Sequence, residues 1–226
     1  MKQKLVILTG AGISAESGLK TFRDADGLWE NHKVEDVATY TAWRKNPGLV
    51  LEFYNQRRKD ASQANPNSAH IGLAKLEEKY DVTVITTNVD DLHERAGSTN
   101  VIHLHGELAL MRSTNNPNKT YPYVKDIHIG DKAKDGGQFR PHIVWFEEDV
   151  PMYGKCAEIV SEAEIFVVIG TSLQVYPAAG LVNVVPPFST KYVIDKKIPD
   201  VLEFVGNLTV IENSATKGVE KLLTIL

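Results

Sequence analysis

The fold is decided by the stretch Lys4-Leu5-Val6-Ile7-Leu8-Thr9-Gly10-Ala11-Gly12-Ile13-Ser14-Ala15. Residues 5–8 are apolar and β-prone without polar alternation, which is how a strand reads when both faces are covered in a parallel sheet. Gly10, Gly12 and Ala15 then fall on the pattern G-x-G-x-x-[GA]. The first glycine permits a tight turn, the second lets backbone approach a pyrophosphate, and the small third residue packs helix on strand. The helix start also offers N–H groups and a positive dipole end to phosphates. Alone the motif is a weak signal, because tight strand–helix turns also occur without a ligand. An ordinary dinucleotide βαβ unit brings its second strand after about 30 residues, ending in an acid for the ribose. Here the next strand-like run begins near Val82, so the first helix is not a simple crossover and a hydride-transferring dehydrogenase is the least favoured reading.

Working outward, β-rich runs recur at 82–86, 101–104, 142–146, 165–169 and 192–194, with a weaker one at 208–211. Between them, 47–59, 68–79, 155–163 and 219–225 read as helices, and Asn67, just after Pro66, is placed to cap the second. The alternation predicts an α/β fold, a Rossmann-like doubly wound parallel sheet with a small inserted module. The expected division is a core of 1–24, 67–111 and 141–226, a helical or loop insert at 25–66, and a module at 112–140. That module is polar, with one alternating patch at 121–129 that suggests a β-ribbon. Its expected anchors on the sheet are Tyr121, Tyr123, Ile127, Ile129 and Phe139.

Composition narrows the function. Of 226 residues, 42% are hydrophobic and 24% charged, as in a globular protein. Lys plus Arg number 25 against 29 Asp plus Glu, so the net charge of −4 offers no footprint for nucleic acid. No apolar run approaches the roughly 20 residues that span a bilayer, and no secretory h-region precedes the first strand. The lone cysteine, Cys156, excludes an internal disulfide and fits a reducing compartment, so a cytoplasmic location is expected.

Further motifs follow in order: Gly10 to Gly18 entire, Thr21-Phe22-Arg23, Asp26-Gly27-Leu28-Trp29, Thr87-Asn88-Val89-Asp90, Leu92-His93-Glu94-Arg95-Ala96-Gly97, His105-Gly106 and Gly170-Thr171-Ser172. Together they resemble the sirtuins, NAD-dependent protein lysine deacylases, over essentially the whole chain. Glu35-Asp36-Val37-Ala38 with Phe53-Tyr54-Asn55-Gln56-Arg57 is similar to the bacterial class III type that removes negatively charged acyl groups. The resemblance implies NAD as co-substrate. The acyl oxygen attacks the nicotinamide ribose, nicotinamide leaves, and a base then helps a ribose hydroxyl take the acyl group, releasing lysine and O-acyl-ADP-ribose. Breaking the glycosidic bond needs positioning and a dry pocket.

His105 follows a strand at the end where α/β sheets place ligands, and its near-neutral pKa suits a general base. It matches the family's catalytic histidine; His103 is read as structural. Asn88 and Asp90 share a face beyond their strand and are expected at the nicotinamide end, against the plainer reading of a helix cap. The resemblance gives Phe22 a shielding role and Arg23 a loop-ordering one. It also places Gly10, Ala11, Gly12, Ser14, Ala15, Glu16, Thr21, Trp29, Thr87, Gly170, Thr171, Ser172, Asp195 and Ala215 at the cofactor. Thr87 and Asp195 stand where the family usually has Gln and Asn. A carboxylate at Asp195 still accepts from ribose hydroxyls.

Tyr54 and Arg57 lie at i, i+3 on one helix face and together suit a distal carboxylate, with small Ala38 leaving the pocket deep. Beside Arg58 and Lys59 the plainer reading is a solvated basic patch. The resemblance also implies that the substrate backbone docks as an added strand on a loop read here as 146–151, with Val144 and Phe146 at the substrate; its acidic Glu147, Glu148 and Asp149 suit basic peptides or form a solvated surface run. Sirtuins usually hold a structural zinc with four cysteines. Here the module has one imidazole, His128, and Ser113 where a first cysteine would fall, so no zinc is expected. The expected activity is desuccinylation or demalonylation with deacetylation, by a monomer acting on acyl-lysine proteins, without nucleic acid or membrane. An NAD glycohydrolase or ADP-ribosyltransferase, and a non-catalytic NAD sensor, are the alternatives.

Overall fold

The computed structural model describes residues 2–20, 28–29, 32–199 and 206–226. Six parallel strands form the central sheet: β1 (Lys4–Thr9), β4 (Asp81–Thr86), β5 (Val101–His103), β9 (Ile165–Ile169), β10 (Thr190–Asp195) and β11 (Leu208–Glu212). Their order is β11-β10-β9-β1-β4-β5, with β1 in register against both neighbours, Leu5 opposite Val82 and Ile165. The unbroken apolar run of β1 has its physical reason in this position. Leu5 and Ile7 pack with Leu73 of α5 (Ser68–Lys75) and Leu222 of α8 (Ala215–Ile225). Val6 and Leu8 pack on the opposite face with Cys156 and Val160 of α7 (Tyr153–Ser161). The chain leaves β1 toward β4 on one side and later returns to β9 on the other, so the crevice of the sheet opens at the carboxyl ends of β1 and β9.

The turn after β1 enters α1 (Gly12–Ala15), a single turn of helix. Asn67 caps α5 as its sequence suggests, accepting from Ala69 N while His70 accepts from Asn67 N. Its amide also donates to the Ile13 carbonyl and to Ser17, which ties α5 to the end of the turn after β1.

A second layer is built from β2 (Leu28–Trp29), β3 (His32–Lys33), α2 (Val34–Val37), α3 (Tyr40–Lys45) and α4 (Pro47–Gln63). Asn46 accepts from Leu49 N and Pro47 sits at the first helical position, so α4 starts with both its cap and its fixed φ supplied. Its inner face carries Val50, Leu51, Phe53, Tyr54, Arg57 and Ala61. α6 (Leu92–Arg95) is one short turn behind β4.

The run 142–146 is not a strand of the parallel sheet. β8 (Phe139–Ile143) pairs antiparallel with β6 (Gly106–Ser113), which also carries β7 (Thr120–Pro122), in a three-stranded sheet. The chain is diverted at Gly106, whose φ is +81, and a Cβ there would overlap the His142 carbonyl oxygen. Gly106→Ala is expected to cost about 3 kcal/mol or more, read as a lower urea midpoint at unchanged slope.

The small sheet packs on α4 and its neighbours rather than on the parallel sheet: Leu108, Tyr123, Ile127 and Ile143 join Trp43, Val50, Phe53 and Tyr54 in one cluster. Asn55 at its centre donates to the Ile127 carbonyl and accepts from Ile127 N and the Tyr123 hydroxyl. Tyr121 meets Phe139 edge-on, whereas Ile129, expected as an anchor, is 59% exposed. Among the described residues no helix is long and apolar enough to cross a membrane.

Candidate active site

One cleft lies across the carboxyl ends of the strands. From the turn after β1 it takes Gly10, Ala11, Gly12, Ser14 and Ala15; from beyond β9, Gly170, Thr171 and Ser172. These two turns are in backbone contact. Gly12 N donates to the Gly170 carbonyl at 2.8 Å, and a Cβ on Gly12 would come within 2.6 Å of Gly170 Cα. Gly170 itself has φ +62, a conformation glycine adopts without strain. The result is a shallow backbone cradle with hydroxyls on its rim, which fits a pyrophosphate. Asp195 at the end of β10, with Lys196, Asn213 and Ala215, forms the far wall on that side.

Thr87, Asn88 and Asp90 enter from the end of β4. The Asn88 amide donates to the Gly10 carbonyl and to Ser14 Oγ, each at 3.1 Å. Ser14 Oγ donates in turn to Asp90 Oδ2 at 3.1 Å, and Asn88 N donates to Thr86 Oγ1 at 3.0 Å. The two side chains thus share the Ser14 hydroxyl, and Asn88 is also tied directly to the Gly10 carbonyl. Asp90 Oδ1 also accepts from Leu92 N, so the cap reading and the cleft reading both describe it. Burial raises the Asp90 carboxyl, against the bonds from Leu92 and Ser14 and the charge of His103 that favour ionisation. The Thr87 hydroxyl turns back to the Thr9 carbonyl at 3.2 Å.

His105 reaches the cleft from just beyond β5. Burial pushes its imidazole below the ordinary value, with the Thr87 backbone holding it up in part. At neutral pH the ring is uncharged and able to accept a proton.

The other end of the cleft is lined by Trp29, Ala38, Tyr54 and Arg57, and by Val144, Trp145 and Phe146. Tyr54 is 2% exposed and Arg57 8%. The Arg57 guanidinium stands 5.0 Å from the centre of the Trp29 ring, and Tyr54 packs against Phe53 and Trp145. Burial holds the Tyr54 phenol above its ordinary value, so it is a neutral donor. The basic neighbours part company here. Arg58 and Lys59 point to Asp126 of the small sheet's loop and leave Arg57 to the cleft. Phe146 N donates to the Ala38 carbonyl, Tyr40 N to the Phe146 carbonyl and Val144 N to the His105 carbonyl, so residues 144–146 bridge the two layers.

The Sir2 family pattern matches residues 10–177. This chain belongs to the Sir2 family. A relative named NAD-dependent protein deacylase, from Helicobacter pylori, is 51% identical over 221 residues, covering 98% of this chain and 96% of the relative. A solved Sir2 homologue–NAD complex shares 37% identity at a TM-score of 0.88, covering 99% of this chain and 89% of that one. A solved complex described as Sir2–p53 peptide–NAD+ shares 29% identity at a TM-score of 0.81, over 99% and 93% of the two chains.

Within this Sir2-family cleft the structure assembles every residue singled out in the sequence except four. Thr21, Phe22 and Arg23 lie outside the described residues. The Glu16 carboxylate does not turn into the cleft; it accepts from Thr216 N at 3.0 Å and Thr216 Oγ1 at 2.9 Å, clamping the start of α8. Sequence reasoning missed Val89, Trp145, Lys196 and Asn213 as cleft residues. Lys196 and Asn213 directly follow strand ends, the signal that picks out Asp195, and could have been found the same way.

The donor set of the small sheet does not fit the zinc site usual in the family. Ser113 Oγ donates to Asp135 Oδ1 at 2.7 Å and accepts from Asn115 N, while Gly137 N donates to the same Asp135 oxygen. Cys156 is buried on α7 beneath the main sheet. Among the described residues no group of three or more His, Cys, Asp or Glu could hold a metal ion.

Behind the cleft two histidines are fully buried, His70 at 0% and His93 at 1% exposure, their rings 4.9 Å apart. Burial lowers His70 from 6.5 to about 4; burial and neighbouring histidine charge lower His93 to about 3. The unfolded chain therefore takes up protons at these residues below pH 6.5 while the folded one does not. Their effect on stability is nil above that value and grows as pH falls toward 4. Unfolding free energy is expected to drop on the order of 3 kcal/mol between pH 7 and 5 in urea titrations, with a smaller drop in His93→Gln.

Proposed function

We propose that the protein is an NAD-dependent protein lysine deacylase whose acyl channel suits negatively charged groups, succinyl, malonyl or glutaryl, and which also takes acetyl-lysine. The observation that carries this reading is the pair Tyr54 and Arg57, one turn apart on α4 and buried in the wall of the cleft that His105 lines. A guanidinium in a largely apolar channel, with a neutral phenol beside it, offers a distal carboxylate a bidentate partner and a further donor. The small Ala38 leaves room for the chain that carries it.

Bound NAD supplies the acceptor, losing nicotinamide while ADP-ribose receives the acyl group. The backbone cradle at Gly10, Gly12 and Gly170 would hold the pyrophosphate, with Thr171 and Ser172 as hydroxyl donors and Asp195 as acceptor for the adenosine ribose. Asn88 and Asp90, fixed through Ser14, would orient the nicotinamide end. His105 then takes the proton of the attacking hydroxyl on its neutral ring. Trp29, Val144, Trp145 and Phe146 exclude water, so that acyl-lysine rather than solvent meets the reacting sugar. The substrate backbone would dock along the loop 146–151, next to Val144 and Phe146 in the cleft wall, and acidic Glu147 and Asp149 there would favour basic flanking residues. The hydrogen-bonded turn around Ser113 and Asp135 would take over the work of a zinc site.

The test is nicotinamide release with and without a succinyl-lysine peptide. Release that depends on the peptide supports the deacylase. Release at the same rate without it overturns this reading in favour of an NAD glycohydrolase, and no release points to an NAD-binding sensor.

A further inference from the structure

His103 ends β5 two residues before His105, behind the loop that carries Asn88 and Asp90 rather than in the cleft wall. Its side chain is 6% exposed. Nδ1 lies 3.0 Å from the Asn88 carbonyl oxygen and Nε2 lies 2.8 Å from Glu94 Oε1 on α6. A carbonyl and a carboxylate only accept hydrogen bonds, whereas a neutral imidazole has one N–H to give. A neutral ring would therefore turn a bare lone pair toward one of these oxygens. Glu94 does not supply the missing proton: its side chain is 40% exposed, and its contact with His103 holds the carboxyl below the ordinary value.

We propose that His103 is a positioning residue held as a buried imidazolium, its two N–H groups fixing the loop of Asn88 and Asp90 from behind. The charged and titratable groups around it agree. Burial pulls the ring down, but the Glu94 hydrogen bond and charge, the Asn88 carbonyl and the charge of Glu107 on β6 more than offset it, so it titrates above the ordinary value. Its charge favours the carboxylate of Asp90 across the loop and helps keep His93 on α6 neutral. Asn88 is thereby held at three points: its carbonyl by His103, its N–H by Thr86, and its amide by Gly10 and Ser14.

The consequence for the proposed reaction is a bell-shaped pH profile owned by two histidines two residues apart. His105 must lose its proton, which places the acid limb below 6.5. His103 must keep its proton, which places the alkaline limb above 6.5. This rests on the deacylase reading only for activity; the protonation state is independent of it.

Nitrogen NMR of the histidine rings in the free protein tests the state directly. At pH 7 both nitrogens of His103 should be protonated, and Glu94→Gln should lower its titration midpoint. In assays, His103→Gln should lower kcat/KM for the acyl peptide about tenfold at pH 7 and erase the alkaline limb while keeping the acid one. A singly protonated His103 at pH 7, a midpoint unmoved by Glu94→Gln, or an alkaline limb that survives His103→Gln would overturn the proposal. If no acyl peptide is turned over but His103 is doubly protonated, the deacylase reading fails and the buried imidazolium stands. If His103→Gln does not fold, the wild-type spectrum and Glu94→Gln still decide.

Discussion

Arg57→Met is expected to lower kcat/KM for a succinyl-lysine peptide by roughly 10²- to 10³-fold while leaving the matched acetyl-lysine peptide within about threefold. The asymmetry follows from what Met keeps and what it removes. An unbranched apolar side chain of similar reach can still lie against Trp29, which the guanidinium faces at 5.0 Å, so the channel wall survives. What disappears is a charge in a site of 8% exposure, where a carboxylate left without its partner bears nearly its full desolvation cost. Acetyl has no carboxylate and does not register the change. Equal losses on both peptides would make Arg57 a structural residue of α4 and remove the basis for acyl selectivity.

The second large effect is expected at His105. His105→Ala should lower kcat for acyl transfer by roughly 10²- to 10⁴-fold, the usual range for a positioned general base. NAD affinity by calorimetry should change little, because the cradle at Gly12 and Gly170 and the Ser14–Asn88 bond do not involve this ring. The fold should also tolerate the change, since His105 contributes to it through its carbonyl, which accepts from Val144 N. Retention of full turnover by His105→Ala would take the proton-accepting role away from this residue and leave the cleft as a binding site.

The parts of this molecule legible in its sequence are those whose local pattern has one physical solution. β1 reads as a strand covered on both faces and the glycines behind it as a tight turn, while the contact of Gly12 with the Gly170 backbone is set by β9, far along the chain. Tyr54 and Arg57 could be placed on one helix face from their spacing, but not buried. Tyr54 is buried against Trp145, some ninety residues later, and Arg57 lies over Trp29, while Arg58 and Lys59 pair with Asp126 of the small sheet's loop, partners that helix spacing does not show. The run at 142–146 is apolar enough for a central strand, and nothing local says which sheet it joins. That is settled by Gly106, whose positive φ sends β6 out of the parallel sheet and takes β8 with it. Ile129 alternates correctly with Ile127 yet is exposed, because only Ile127 meets Asn55 of α4. Glu16 lies within the phosphate-loop motif but is claimed by Thr216, which no pattern within the motif could show. His103 reads as an ordinary strand-end histidine until the fold sets two acceptor oxygens against its two nitrogens.

The proposed function joins NAD chemistry at His105 to an acyl channel made selective by Tyr54 and Arg57 in one cleft. It is tested most directly by the ratio of kcat/KM for succinyl- and acetyl-lysine forms of one peptide, with nicotinamide and peptide mass followed together in the wild-type protein. The expected result is NAD-dependent loss of either acyl group, matched by nicotinamide release, with succinyl preferred. Removal of acetyl alone, with the succinyl peptide untouched, would contradict it.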